Sequence, residues 1–302
     1  MADHGTAIEW TQAPGFKGET WNPVTGCDRV SPGCAHCYAL DLAARLKGMG
    51  QKRYQRDGDP KTSGPGFGLT LHPDKLEEPL RWRKPRMVFV NSMSDLFHEE
   101  ISDEYIAKVF AVMGNASQHI FQVLTKRPER MHELLRSWKF SRLVQSQIGE
   151  VVSPEPADGW ATIAWADDGF FDNVWLGVSI ENRRFVHRAD LLRATPAAVR
   201  FISAEPLLGP LVHNPFYPQD WRPLNLVDID WLIVGGESGS GHRRIDREWV
   251  RDLLCMTRNE DPDLRTAFFF KQWGGRTPKA GGRELDGRTW DEWPSTLEAT
   301  SC

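Results

Sequence analysis

The chain has 302 residues, of which 40% are hydrophobic and 26% charged, and its net charge is −4. That is enough apolar material for one α/β barrel or two ordinary domains. No apolar run approaches the roughly 18 residues of a membrane-spanning helix, and the acidic balance excludes a global basic field for nucleic acid. The opening Met-Ala-Asp-His-Gly lacks the basic-then-apolar order of a secretory signal. The five cysteines are an odd number clustered near one end, so they do not read as a disulfide framework, and a reducing cytoplasm is the expected compartment.

The first informative segment along the chain carries Cys27, Cys34 and Cys37 in a Cys-x6-Cys-x2-Cys spacing. Thiolates are soft ligands that select zinc, copper or iron–sulfur clusters. Structural zinc closes with four protein ligands, so three cysteines leave two readings open. One is a zinc loop completed by His36 or by a distant ligand. The other is an iron–sulfur cluster whose fourth iron stays open to a small molecule. Gly26, Pro32 and Gly33 permit the tight turns that bring three sulfurs round one centre. A helix is predicted from Tyr38 to Leu46, with Ala39, Leu42, Ala43 and Leu46 on one face and Gly48 as its stop. Its N-terminal N–H groups would stabilise a negatively charged cluster.

Strand-like and helix-like stretches then alternate. A weak strand is predicted at 67–71, and stronger ones at 87–90, 119–124, 174–180, 199–203, 231–234 and 266–270. Most are short continuous apolar runs, as expected of strands buried on both faces. Helices are predicted at 102–113 with Ser102 as cap, at 128–138, at 183–193, and at 246–256 with Asp246 as cap. Residues 141–172 read as an insertion or lid, 210–228 as a proline-rich loop, and 274–302 as an irregular tail. Cys255 falls inside the last helix pattern and reads as an ordinary semi-buried thiol. Strand–helix alternation predicts an α/β fold with a parallel sheet, a partial or full (β/α) barrel forming a single domain over 1–302.

In such folds the chemistry lies at the carboxyl ends of the strands. Polar groups recur there at 91–95, 125–127, 179–182, 203–205, 235–238 and 271–272, which predicts a lined cavity. Local basic stretches at 126–130, Arg183-Arg184 and Arg243-Arg244 read either as solvated surface or as contacts for a polyanion.

At the cysteine loop the chain resembles the radical S-adenosylmethionine (SAM) superfamily, in which three cysteines precede the first helix of a partial α/β barrel. That superfamily's usual first gap is three residues where this chain has six, and its aromatic stands before the third cysteine, where this chain has His36. A closer resemblance is to the phage- and prophage-associated "gp thirty-seven / gp sixty-eight" proteins, a domain of unknown function. It is carried by Ile8 to Thr11, Trp21 to Cys27, Val30 to Cys34, Cys37 to Ala39, Asn91 to Phe97, Leu124 to Pro128, Trp175 to Asn182, Ser203 to Leu207, Gly235 to Gly239 and Phe269 to Gly274. The chain is also distantly similar to spore photoproduct lyase-type radical enzymes, through a Ser-Asp after one strand and a Thr-Lys after the next.

The resemblance implies a [4Fe–4S] cluster on Cys27, Cys34 and Cys37, with SAM on the fourth iron. SAM would be cleaved reductively to a 5′-deoxyadenosyl radical that acts on a substrate the sequence does not name. Ser94 and Asp95 suit the SAM ammonium, and Lys126 its carboxylate. Ser179, Glu181 and Asn182 suit the ribose hydroxyls. Glu205, Glu237 and Lys271 would line the substrate side. An electron donor, a reductase or flavodoxin-like protein, is the expected partner, and the phage setting implies a nucleic-acid or nucleotide substrate. No membrane partner is expected. Two further readings stand beside this one: a zinc-stabilised nucleic-acid-binding module without catalysis, and a barrel hydrolase whose cysteine loop is structural.

Overall fold

The structure, a computed structural model, describes residues 5–151, 171–212, 222–258 and 265–299. Among the described residues nine strands and seven α-helices follow one another in chain order. They are β1 (Lys17–Trp21), β2 (Val24–Thr25), α1 (Tyr38–Gly48), β3 (Thr70–Leu71), β4 (Arg86–Val90), α2 (Asp103–Asn115) and β5 (Ile120–Thr125). Then come α3 (Pro128–Leu135), α4 (Trp138–Val151), β6 (Val174–Ser179), α5 (His187–Arg193), β7 (Val199–Ala204), β8 (Trp231–Gly235), α6 (Arg247–Met256), β9 (Ala267–Gln272) and α7 (Thr296–Ala299). The main sheet has seven strands in the order β1-β4-β5-β6-β7-β8-β9, which is also their order along the chain, with β2 and β3 set aside as a separate pair. The β1/β4, β4/β5, β7/β8 and β8/β9 pairings are parallel. A parallel sheet wound in chain order is consistent with the partial (β/α) barrel expected from the alternation.

The chain divides into two compact units. The first comprises residues 1–29, 39–176 and 194–198, and the second 30–38, 177–193 and 199–302. In the first unit every residue of β4 is buried, which explains the apolar run over 87–90 that follows Arg86. Trp21 and Phe121 meet edge-on at 5.8 Å, and Phe110 of α2 meets Phe140 of α4 at the same distance. The Ser102 hydroxyl caps α2 by accepting from Tyr105 N, as its position before an apolar helix predicts. In the second unit Trp231 and Phe269 pack against Trp293 at 5.1 and 5.4 Å. The stretch beyond Gly274 thus supplies core to β8 and β9 through its tryptophans while making only isolated bridges and the short α7.

Several details differ from the sequence reading. Strand β1 carries Lys17, Glu19 and Thr20, and its alternation is masked because only Gly18 and Trp21 are buried. As the edge of the sheet it tolerates charge, and Glu19 pairs with Arg86 of β4 at 2.6 Å. The weak strand at 67–71 shrinks to β3, which pairs antiparallel with β2 outside the main sheet. Gly66, at φ +70°, turns the chain just before it. The segment read as an insertion or lid begins as α4, packed on α2 through Phe140, while its residues 152–170 lie outside the described part. In the proline-rich stretch, 213–221 also lie outside it. Cys255 is exposed on α6 rather than semi-buried.

Candidate functional site

The three loop cysteines divide between the units, Cys27 in the first and Cys34 and Cys37 in the second. None of the three is in a disulfide, and all three are half-buried.

In the first unit the chain turns into Cys27 at Gly26, whose φ is +91°. A Cβ there would sit 2.5 Å from the Gly68 backbone, so both the conformation and the close approach require glycine. Gly26 N donates to Met93 O at 2.9 Å, and the Ser94 hydroxyl donates to Val24 O at 3.0 Å. The loop after β4 is thereby fastened to the start of the cysteine loop. Asp95, which ends that turn, is buried and accepts from Thr125 Oγ1 at 2.7 Å, Lys126 N at 2.9 Å, Phe97 N at 3.0 Å and Arg127 Nη1 at 3.3 Å. Its carboxylate therefore serves the strand ends of β4 and β5 themselves. Lys126 contributes its backbone N–H to this network, and its side chain is half-buried.

Arg127 is the hub that the sequence reading did not single out. Its guanidinium donates through Nε to Glu99 at 2.9 Å and through Nη1 to Cys27 Sγ at 3.4 Å, in addition to Asp95. Nη2 donates to Asp28 O at 3.4 Å. Burial alone would disfavour its charge, but Asp95 and the Cys27 sulfur outweigh that cost and raise its pKa. Beside it, His98 is buried and meets Asp28 at 3.0 Å. Desolvation pushes the Asp28 pKa up, but hydrogen bonds from Thr62 and His98 outweigh it and hold the carboxyl below the usual range.

In the second unit two buried carboxylates hold the cysteine loop. Glu181, fully buried after β6, accepts from the Ser31 hydroxyl at 2.5 Å and pairs with Arg188 at 3.3 Å. A Cβ on Gly33 would fall 2.6 Å from Glu181 Oε1, so this glycine admits the carboxylate against the loop backbone. Ser31 also hydrogen-bonds Cys34 Sγ at 3.7 Å. Glu237, buried after β8, accepts from Arg243 N and Nε at 2.8 and 2.9 Å and from His36 Nδ1 at 3.0 Å. Desolvation works against its charge, but these donors prevail and bring its pKa down to about 2. An ionised carboxylate only accepts, so the proton of His36 sits on Nδ1. Arg243 Nη2 then reaches Pro32 O at 2.9 Å, which closes a latch from β8 onto the loop.

The remaining predicted residues have distinct settings. Asn182 caps the short turn 183–185 by accepting from Arg184 N at 3.0 Å. Glu205 pairs with Lys271 at 2.7 Å and lies against Gly235, where a Cβ would approach it to 3.2 Å. Two buried polar groups at strand ends have no protein hydrogen-bond partner: the Ser179 hydroxyl, and the amide of Asn91, whose φ is +59°. Such groups call for water or a ligand.

A tetrahedral zinc site brings thiolates to about 3.8 Å of one another, given zinc–sulfur bonds of about 2.3 Å. Among the described residues the His, Cys, Asp and Glu side chains that converge as three or more within 4.8 Å are Asp28, His98 and Glu99, a group without cysteine that borders Arg127. Within the second unit Cys34 and Cys37 form no such group with His36, whose Nδ1 is committed to Glu237. Three cysteine sulfurs, one of them receiving a guanidinium N–H, are a donor set that an iron–sulfur cluster would accept.

No helix among the described residues is long and apolar enough to cross a membrane. No curated protein and no solved structure matches the chain. A family model described as "Protein of unknown function (DUF5131)" matches residues 5–294, nearly the whole chain, and the protein therefore belongs to the DUF5131 family.

Proposed function

We propose that this protein is an iron–sulfur enzyme of radical SAM type, with Cys27, Cys34 and Cys37 each ligating one iron of a [4Fe–4S] cluster and SAM completing the fourth. When bound and reduced by one electron, the cluster would supply reductive cleavage of SAM to methionine and a 5′-deoxyadenosyl radical. The observation that carries this reading is the loop itself: three half-buried cysteines outside any disulfide, within eleven residues, ahead of α1 in a parallel α/β fold. The resemblance to the radical SAM and phage families supports it.

The chain's own residues would bind and orient. In the first unit Ser94 and Lys126 flank the Asp95 network and would meet the polar end of SAM. Asp95 would act chiefly by holding Lys126 and Arg127 in place, because four donors already occupy its oxygens. In the second unit the unpartnered Ser179 hydroxyl and Asn182 suit paired ribose hydroxyls. Glu181 and Glu237 would serve the loop backbone, and the Glu205–Lys271 pair would line the substrate side. A nucleotide or nucleic-acid substrate and a flavodoxin-like or reductase electron donor complete the proposal. The test is anaerobic incubation of iron-loaded protein with dithionite and SAM, followed by chromatography for 5′-deoxyadenosine. Its formation by the native chain and its loss in Cys34→Ala are expected. Iron-loaded, reduced protein that leaves SAM intact would remove the SAM assignment.

A further inference from the structure

The buried Arg127 is an unusual place to store a cation. Its side chain is only 10% exposed, and it is gripped by two carboxylates, Asp95 at 3.3 Å and Glu99 at 2.9 Å. A structural role would be complete with those partners. Yet Nη1 also points an N–H at Cys27 Sγ, 3.4 Å away, and Nη2 reaches the carbonyl of the next residue. Arg127 N also accepts a fixed position, because it donates to Thr125 Oγ1 at 2.9 Å and Thr125 in turn donates to Asp95. The fork is therefore set by backbone and by side chain together, and its free edge is aimed at a sulfur.

We infer that Arg127 tunes the reduction potential of the cluster that Cys27 ligates, by donating a hydrogen bond to the ligating sulfur. This rests on the iron–sulfur reading above. The physical basis is charge. One electron arriving from an external one-electron donor adds negative charge that the ligating thiolates share. A fixed N–H and a positive charge at one of those sulfurs stabilise the reduced form more than the oxidised form, which raises the potential. Arginine suits this task because its planar fork serves Asp95, Glu99 and Cys27 at once, whereas a lysine ammonium offers one point of charge on a flexible stem. Asp95 and Glu99 place the guanidinium and partly neutralise it, so its charge reaches Cys27 chiefly through the Nη1 hydrogen bond. Arg127 is thus a positioning residue that acts through Cys27.

The experiment is a redox titration of the anaerobically reconstituted full chain, followed by electron paramagnetic resonance, for the native protein, Arg127→Gln and Arg127→Lys. Iron and sulfide are measured on each sample first. The expected result is a lower midpoint in Arg127→Gln by about tenfold in the reduction equilibrium, which for one electron is about 59 mV. Arg127→Lys should fall between the two. A midpoint in Arg127→Gln equal to the native value, at native iron content, overturns the inference. If Arg127→Gln does not retain the cluster, Arg127→Lys decides alone: a lowered midpoint supports the inference and an unchanged one overturns it. A native chain that takes up no iron and sulfide defeats the cluster reading itself, and this inference with it, before any variant is compared.

Discussion

Cys27 and the Cys34–Cys37 segment are treated differently by the units that contain them. In the first unit the protein acts on the sulfur: Arg127 donates directly to Cys27 Sγ. In the second it acts mainly on the backbone and flanking side chains of the loop. Glu181 receives Ser31, while Glu237 and Arg243 hold His36 and the Pro32 carbonyl. The lesson is a division of labour within one segment: at one end a cation is brought to a sulfur, and at the other the loop that carries two sulfurs is held in place. Buried carboxylates suit the second task because each accepts several hydrogen bonds at once and resists displacement when satisfied.

Breaking the ligand set comes first in size. Cys34→Ala should abolish cluster retention, read as loss of iron, sulfide and visible absorbance, while circular dichroism stays native. Next is the carboxylate latch. Glu237→Gln removes the charge that holds Arg243 and His36, and should cost about 3 kcal/mol of stability in the metal-free protein, measured by urea unfolding. The pH dependence sharpens this. The Glu237 pKa is lowered from 4.5 to about 2 in the folded chain, so its contribution is complete above about 4.5 and is lost as pH falls toward 2. The difference between native and Glu237→Gln stabilities should therefore narrow over that window. A gap that stays constant from pH 5 to pH 2.5 would show that the latch is not electrostatic.

A smaller effect is expected at the contact between the loop and Glu181. Gly33→Ala forces a methyl group to within 2.6 Å of Glu181 Oε1 unless the loop shifts. The expected cost is about 1–3 kcal/mol by urea unfolding, with reduced iron occupancy. Unchanged iron content would mean that the loop position tolerates displacement. The smallest effect belongs to a cysteine outside both environments. Cys255 is exposed on α6, so Cys255→Ser should leave iron content and 5′-deoxyadenosine formation unchanged and shift stability by less than about 0.5 kcal/mol. Loss of product formation in that variant alone would place Cys255 in the chemistry as a hydrogen donor.

The interior strands of the fold were legible because β4, β5, β6 and β8 are buried along almost their whole length, which leaves mostly apolar runs in the sequence, with Gln122 of β5 the buried exception at mid-strand. Edge strand β1 was not, because Lys17, Glu19 and Thr20 need no apolar partner there. The caps Ser102 and Asp246 were readable from their position before an amphipathic stretch, and both accept the backbone N–H expected of them. At the candidate site, residue types and strand-end placement were visible, but pairing was not. Glu237 and Arg243 are six residues apart and look like unrelated charges until the turn after β8 brings them together. Glu181 and Ser31 are 150 residues apart in sequence. Arg127 was hidden beside Lys126, since a Thr-Lys-Arg-Pro string does not say which cation turns inward. Only the helix start at Pro128 and the bond from Arg127 N to Thr125 Oγ1 decide it.

The central claim is tested most directly by metal and sulfide analysis of the full chain purified without oxygen. The iron–sulfur account predicts about four irons and four sulfides per chain, brown colour, and bleaching on reduction. A colourless protein that holds one zinc and no sulfide would contradict it and leave the cysteine loop as a structural staple.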